Sequence, residues 1–272
     1  MLDGYRILVV GASTGIGRAV GIQSAQAGAA VAFAARRTEL LEEAVNAAGG
    51  SSFAVACDVR REEQCAGAVE EAVERFGGLD AVVYAAGKSP LVRFADADGD
   101  TWRDVMETNV VGAALVSRAA LPHLEASSGR LLLLGSSGIV RPLPGLIAYT
   151  TSKAAVHQFA RSLRNENPWL RVTNFVVGPT ITEFSAGWDP DLAGTLHSRW
   201  AAEGYMSSSP PMTAEAMADQ VIRVLGSGAR IDEVHVMPDQ SPAGREGSTV
   251  VPNPFSASTI GPGPTADGGE RP

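Results

Sequence analysis

The sequence places a tyrosine and a lysine four residues apart, in the segment Tyr149-Thr-Thr-Ser-Lys153. Residues at positions i and i+4 lie on one face of an α-helix, so we expect the two side chains to be neighbours. A free tyrosine has a pKa of about 10 and is a poor base at neutral pH, but an adjacent ammonium favours the phenolate. The pair predicts acid/base chemistry at Tyr149. The alternative is an exposed Tyr and Lys with no shared role.

A glycine-rich loop near the start of the chain predicts a phosphate site. In this loop Gly11 would allow a sharp turn, Gly15 would admit a pyrophosphate, and Gly17 would let helix and strand pack closely. The following helix would direct its free N–H groups toward the anion. The spacing is GxxxGxG rather than the commoner GxGxxG, and a purely structural glycine turn is the alternative. The contacts expected from this loop are Gly11, Ser13, Thr14, Gly15, Ile16 and Gly17.

The end of the second predicted strand predicts which dinucleotide binds. In dinucleotide-binding α/β sheets, enzymes that use NAD place an acidic residue at the end of this strand. This sequence instead has Ala35 followed by Arg36 and Arg37. A guanidinium binds a 2′-phosphate through forked donors, and a carboxylate would repel it. We therefore expect NADP(H), held by Arg36. Arg37 is interpreted as a solvated loop charge.

Alternating strands and helices would position these residues. Apolar strands without polar alternation are typical of a parallel sheet covered on both faces, so we expect a Rossmann-like, doubly wound α/β domain of about seven strands spanning residues 1–240. The predicted strands are 6–10, 30–35, 52–57, 79–85, 130–135, 171–177 and 233–237. The predicted helices are 16–27, 38–48, 61–76, 101–124, 148–165 and 214–225, with Thr38 capping the second.

Composition restricts the possible partners. The 272 residues carry a net charge of −8, and nucleic-acid binding is not expected because it requires a basic surface. Two cysteines make no disulfide framework, which favours a reducing compartment. No apolar run approaches the length of a membrane span, and the N-terminus carries no signal-peptide pattern. We expect a cytoplasmic protein that acts on a small molecule.

Two segments interrupt the alternation of strands and helices. Residues 183–212 are rich in aromatics and Met without a clear period, and they follow a strand end where ligands bind in such sheets. We interpret this segment as a flap that covers an apolar substrate. The alternative is a surface segment that packs on its own aromatic side chains. In residues 241–272, Gly, Pro, Ser and Thr make up 19 of 32 residues, which predicts a disordered tail.

Several motifs in order make the chain similar to the short-chain dehydrogenase/reductase family, in its compact branch of about 250 residues, from Tyr5 to about Pro238. The glycine loop resembles the family's TGxxxGIG motif, with Val10 in place of Thr. The family's NNAG stretch corresponds to Tyr84-Ala-Ala-Gly87, where both asparagines are missing. Its PGxxxT segment resembles residues 177–182, with Val177 in place of Pro.

The resemblance implies four catalytic residues: Asn109, Ser136, Tyr149 and Lys153. Tyr149 would exchange a proton with the substrate oxygen, beside which Ser136 would donate a hydrogen bond. Ser136 lies 13 residues before Tyr149, the family's usual spacing, and Ser137 is the alternative. Lys153 would lower the phenol's pKa and hold the nicotinamide ribose. Asn109 would bend its helix and hold a water in a proton relay.

The resemblance also implies further cofactor contacts, which are Asp58, Val59, Ala86, Gly87, Tyr149, Lys153, Thr180 and Thr182. The expected function is hydride transfer between NADP(H) and a carbonyl or secondary alcohol. The alternatives are a catalytically silent dinucleotide sensor and lyase or epimerase chemistry on the same fold. A homotetramer or homodimer is expected, built through the helices predicted at 101–124 and 148–165. The apolar stretch 110–116 is consistent with that assembly.

The remaining polar residues give weaker indications. No metal is expected, because the four histidines show no ligand spacing and are interpreted as surface or packing residues. Lys88 follows Gly87 near the expected nicotinamide position. It is interpreted as a solvent-facing loop residue, and holding an acidic substrate is the alternative.

Overall fold

The computed structural model describes residues 1–206 and 209–239. The strands are β1 Arg6–Val10, β2 Ala30–Ala35, β3 Ser52–Ala56, β4 Ala81–Tyr84, β5 Arg130–Leu134, β6 Arg171–Val177, β7 Thr180–Ile181, β8 Met212–Thr213 and β9 Glu233–Val236. The α-helices are α1 Gly15–Gln26, α2 Thr38–Ala48, α3 Glu62–Phe76, α4 Gly99–Met106, α5 Gly112–Ser127, α6 Ile147–Glu166, α7 Pro190–Ala202 and α8 Ala214–Leu225. The tail predicted at 241–272 lies outside the described residues.

Seven parallel strands form the central sheet in the order β3-β2-β1-β4-β5-β6-β9. The expected Rossmann-like, doubly wound sheet is therefore confirmed. Helices α1, α2 and α8 pack on one face, and α3, α5 and α6 on the other, so each face covers its own hydrophobic core. Strands buried on both faces account for the continuous apolar runs in the sequence. A separate two-stranded ladder, β7-β8, was not predicted.

The long helix predicted at 101–124 differs from the structure in two respects. It begins at Gly99 because Asp98 is the N-cap, with its carboxylate accepting from the Thr101 N–H at 2.8 Å. A π-helical turn, Glu107–Val111, then separates α4 from α5. Thr38 is likewise the first residue of α2 rather than its cap, since Arg37 occupies the N-cap position.

Part of the apolar stretch 110–116 lies in the core of the chain itself. Ala113 and Val116 are buried against the sheet, and Val111 is exposed. Folding of the single chain thus explains part of the pattern that suggested an interface. Among the described helices, none combines the length and hydrophobicity needed to cross a bilayer.

Candidate active site

A cleft of about 1650 Å³ opens at the carboxyl edge of the central sheet. Parallel strands direct their carboxyl ends to one edge, and ligands bind there in open α/β sheets. The cleft gathers loops that follow β1, β2, β3, β4, β5 and β6. The predicted site residues that line it are Gly11, Ser13, Thr14, Gly15, Ile16, Gly17, Arg36, Asp58, Val59, Ala86, Gly87, Ser136, Tyr149, Lys153, Thr180 and Thr182.

The glycine loop requires the absence of side chains at two positions. Gly11 has φ +85°, and a Cβ there would lie 2.4 Å from the Ala86 nitrogen. A Cβ on Gly17 would lie 2.3 Å from the carbonyl oxygen of Gly11. The strand, the loop and the start of α1 therefore pack closely, and the loop places the N-terminus of α1, where the first N–H groups have no intrahelical partner, on the cleft lining. This cradle fits the pyrophosphate of a dinucleotide.

Arg37 connects the glycine loop to residues 183–212, a role that the sequence did not reveal. Its guanidinium donates to the hydroxyls of Ser13 at 3.1 Å and Thr14 at 3.0 Å. It also pairs with Glu183 at 3.2 Å. The side chain remains about half exposed, as expected of a solvated loop charge, but these partners were not predicted. Local sequence carries no signal for this role, because Glu183 lies 146 residues away.

Asp58 and its neighbours form one wall of the cleft, where the adenine is expected. The Asp58 carboxylate accepts from Arg60 at 2.6 Å, and this partner lowers the pKa of Asp58 to about 2. Arg36 adds a smaller Coulomb contribution in the same direction, so the two side chains are near each other. The Asp58 N–H donates to Gln64. Asp58 is therefore a charged and well-anchored wall residue, with Arg36 exposed beside it.

The catalytic residues expected from the sequence converge at the other end of the cleft. Tyr149 and Lys153 lie on α6, and the Lys153 Nζ is 5.8 Å from the centroid of the Tyr149 ring. The Lys153 ammonium donates to the Leu134 carbonyl oxygen at the end of β5, at 2.7 Å. The Ser136 side chain hydrogen-bonds to Tyr149. Ser137 also lines the cleft but begins a 3₁₀ turn beyond that contact.

Burial sets the charge states of this pair. It raises the pKa of Tyr149 to about 12, against a smaller lowering by the hydrogen bond with Ser136. It also lowers the pKa of Lys153 to about 8. The sequence predicted a lowered tyrosine pKa from the neighbouring lysine. In the folded chain, desolvation is the largest influence on the pKa of the phenol, which is held protonated at neutral pH.

Asn109 is buried in the π-helical turn, with its side-chain amide fully engaged. Its Oδ1 accepts from the Lys88 N–H at 2.7 Å, and its Nδ2 donates to Lys88 O at 3.0 Å and to Ser152 Oγ at 2.8 Å. The Ser152 hydroxyl donates in turn to the Tyr149 carbonyl oxygen at 2.6 Å. Asn109 thereby fixes the loop after β4 against the catalytic helix α6.

The Lys88 ammonium forms an ion pair while its side chain remains about one-third exposed. It contacts the Asp104 carboxylate, which also binds Arg60 at 3.1 Å. The interpretation of Lys88 as a solvent-facing lysine did not include this partner, and the side chain lies on the cleft wall. Holding an acidic substrate would require Lys88 to leave Asp104.

The threonines after β6 order the start of residues 183–212. The Thr180 hydroxyl donates to Gly178 O at 2.9 Å, and the Thr182 hydroxyl accepts from the Phe184 N–H at 3.1 Å. Both line the cleft where the nicotinamide carboxamide is expected.

Residues 183–206 and 209–212 contain a helix that the sequence did not predict, α7. Asp189 caps it by accepting from the Leu192 N–H at 2.8 Å, and Pro190 opens its first turn. The Asp-Pro pair was the available signal for a helix start. Aromatic contacts connect this region to Tyr149, since Phe184 lies edge-on to Tyr149 at 5.0 Å and to Trp188 at 5.6 Å.

Two indole groups fasten this region to the rest of the cleft. Trp188 donates to Ser89 O at 2.7 Å, and Trp200 donates to Pro144 O at 3.1 Å. The buried Trp200 packs with Leu91, Leu146 and Leu196 in a third, smaller hydrophobic cluster. The segment thus packs on its own aromatics and also lines the cleft beside Tyr149.

Two histidines have defined partners at the outer edge of the sheet. His157 is buried between Asn174, at 2.8 Å, and Glu233, at 3.3 Å. His235 contacts the same glutamate at 2.5 Å and lies on the cleft wall. Within residues 1–206 and 209–239, no three His, Cys, Asp or Glu side chains group as they would around a metal ion.

Comparison with known proteins agrees with this geometry. The short chain dehydrogenase family profile matches residues 5–193. The chain is 31% identical to 11-beta-hydroxysteroid dehydrogenase A of Sesamum indicum over 84% of this chain and 67% of that protein. It is 33% identical to a short chain dehydrogenase of Pseudocercospora fijiensis, over 82% of this chain and 76% of that one. The structure of a short-chain dehydrogenase/reductase from Serratia marcescens aligns with a TM-score of 0.76 and 27% identity, covering 87% and 98% of the two chains. This chain therefore belongs to the short-chain dehydrogenase/reductase family and is an NAD(P)-dependent oxidoreductase.

Proposed function

We propose that the chain transfers a hydride between NADP(H) and a carbonyl or secondary alcohol, with Tyr149 as the general acid and base. One observation supports this proposal most directly. Ser136, Tyr149 and Lys153 converge at one end of the cleft, and the glycine loop lies at the other end. When bound, the nicotinamide supplies or accepts the hydride. The residues of the chain then have to bind the reacting oxygen and move one proton.

Tyr149 and Ser136 would both donate to the substrate oxygen. The pKa of about 12 keeps the phenol protonated, which is the state that gives a proton to a carbonyl during reduction. The Ser136 oxygen accepts from the Gly138 N–H at 3.1 Å, and its side chain hydrogen-bonds to Tyr149. A bound substrate oxygen would replace the phenol as the acceptor of the Ser136 proton. Two donors on one developing alkoxide stabilise its negative charge.

Lys153 would act as a fixed positive charge below Tyr149. Its bond to Leu134 O uses one of three ammonium donors and leaves two for the ribose hydroxyls of the cofactor. The ammonium also stabilises the phenolate that remains after proton transfer. We propose that Asn109 completes a proton relay to Lys153; its contacts with Lys88 and Ser152 support a positioning role in that relay.

Preference for NADP(H) rests on charge at the end of β2. Ala35 supplies no carboxylate to repel a 2′-phosphate, and Arg36 is exposed on the cleft wall next to it. Arg37 adds a second positive charge while it orders Ser13 and Thr14. A guanidinium is well suited to bidentate phosphate binding.

We further propose that residues 183–212 cover an apolar, medium-sized substrate. The apolar walls contributed by Leu143, Leu146, Phe184 and Met206 support this assignment. Assembly as a homodimer or homotetramer is also proposed, and light scattering at micromolar concentration that gave a monomer would contradict it. The main test is NADPH oxidation with a panel of ketones and aldehydes, for which the chain should show turnover and Tyr149→Phe should not.

A further inference from the structure

We infer that the substrate carries an anionic group, most simply a carboxylate, at the end remote from its carbonyl, and that Arg141 binds it. The inference rests on the proposed function and narrows its substrate class to oxo acids and hydroxy acids with an apolar body. Arg141 follows the catalytic Ser136 by five residues and lines the same cleft.

Most of the positively charged side chains that line the cleft already have a partner. Among the described residues, Lys88 is paired with Asp104 and Arg37 with Glu183. The Lys153 ammonium donates to the Leu134 carbonyl oxygen and is assigned to the proposed reaction at Tyr149. Arg36 and Arg141 have no carboxylate within ion-pair distance among the residues described, although the chain as a whole is acidic at −8. Each is a cation on the cleft wall, and Arg36 has an assigned anion in the proposed 2′-phosphate.

Two contacts hold the Arg141 guanidinium in place without neutralising its positive charge. Its guanidinium lies 4.8 Å from the centroid of the Tyr205 ring, and one nitrogen donates to the Glu203 carbonyl oxygen at 3.3 Å. The carboxylate of Glu203 is directed elsewhere, to Arg199 at 2.7 Å. A guanidinium has five N–H donors, so several remain for a ligand. Stacking on an aromatic ring preorganises the planar fork for bidentate carboxylate binding.

The part of the cleft wall beside Arg141 is apolar. Val140, Leu143, Leu146 and Phe184 line this part of the cleft. An apolar wall with a reacting polar group at Tyr149 and a single cation at Arg141 matches a molecule that has an apolar middle and two polar ends. Selection by charge at the remote end would place the carbonyl against Tyr149 and Ser136.

The experiment compares matched substrates and matched variants. Oxo acids of increasing chain length are assayed with NADPH beside the corresponding oxo carboxamides, which keep the shape and remove the charge. At the best length we expect Arg141→Gln to lower kcat/KM for the acid by about tenfold or more and to leave the amide within about twofold. Arg75→Gln is the control, because Arg75 also stacks on an aromatic ring, Phe53 at 4.2 Å, but lies outside the cleft.

The possible outcomes separate the two claims. If Arg141→Gln lowers acid and amide by the same factor, Arg141 only fastens residues 203–205, and the inference is wrong while the proposed function stands. If wild type reduces no carbonyl compound, the proposed function fails. Calorimetric titration of the oxo acids into Tyr149→Phe, with and without Arg141→Gln, then decides the inference. Binding that requires Arg141 and the carboxylate supports it, and binding indifferent to both overturns it.

Discussion

At the residue scale, the environment of a side chain decides its charge more than its spacing in the sequence does. The i, i+4 spacing correctly brought Tyr149 and Lys153 onto one face of α6. It did not show that burial raises the pKa of the phenol and lowers that of the ammonium. The partners of Arg37 and Lys88 were equally unpredictable, because they depend on distant residues that only the fold brings near.

The two arginines after β2 should respond differently to substitution. Arg36→Asp should weaken NADPH binding by about tenfold or more and leave NADH binding little changed, because it removes a charged partner of the 2′-phosphate and adds repulsion. Arg37→Met should weaken NADPH and NADH together, since it releases the Ser13 and Thr14 hydroxyls of the shared phosphate loop. Fluorescence titration with both dinucleotides measures this. Wild type preferring NADH would refute the assignment of Arg36.

The pKa of Lys153 predicts the basic side of the pH profile for carbonyl reduction. Because burial lowers that pKa to about 8, the ammonium is complete only well below pH 8 and is lost as the pH rises through 8. The phenol, with its pKa near 12, stays protonated over the same range. We therefore expect kcat/KM to fall above about pH 8. In Lys153→Arg the fall should move to higher pH, because a guanidinium remains charged. A fall at the same pH in both proteins would show that another group titrates.

At the element scale, strands and helix faces were predictable and irregular features were not. Long apolar runs defined the strands to within two residues at each end. The π-helical turn at Glu107–Val111 and the helix α7 were missed, because neither shows a clear hydrophobic period. Both features carry cleft residues or their supports. The two-stranded ladder β7-β8 is too short to leave a pattern.

A pair of glycine substitutions tests the packing of the phosphate loop. Gly17→Ala would place a Cβ 2.3 Å from the Gly11 carbonyl oxygen, so it should lower the free energy of unfolding by about 1–3 kcal/mol and weaken dinucleotide binding. Gly67→Ala is the matched control on α3, where a Cβ meets no atom within 4 Å. It should stabilise the chain by about 0.5–1 kcal/mol through helix propensity. Urea unfolding measures both, and equal effects would disprove the close contact.

At the scale of the whole molecule, the order of motifs along the chain was the strongest predictor. Seven strands, their parallel arrangement and the convergence of the cleft residues follow from strand-helix alternation, because parallel strands bring their carboxyl ends to one edge. The sequence did not predict the shape of the part of the cleft where the substrate is proposed to bind. That shape depends on residues 183–206, which pack back over loops 88–92 and 141–146 through Trp188 and Trp200.

The most direct test of the account is the turnover of Tyr149→Phe. Phenylalanine fills the same space beside Phe184 but carries no proton, so the fold and NADPH affinity should be unchanged. General acid catalysis contributes about 10²–10⁴ in rate, so kcat for NADPH-dependent carbonyl reduction should fall at least a hundredfold. Measured on the best substrate of the carbonyl panel, with NADPH affinity determined on the same preparation, that result would support Tyr149 as the proton donor. A variant within tenfold of wild type would show that another group delivers the proton.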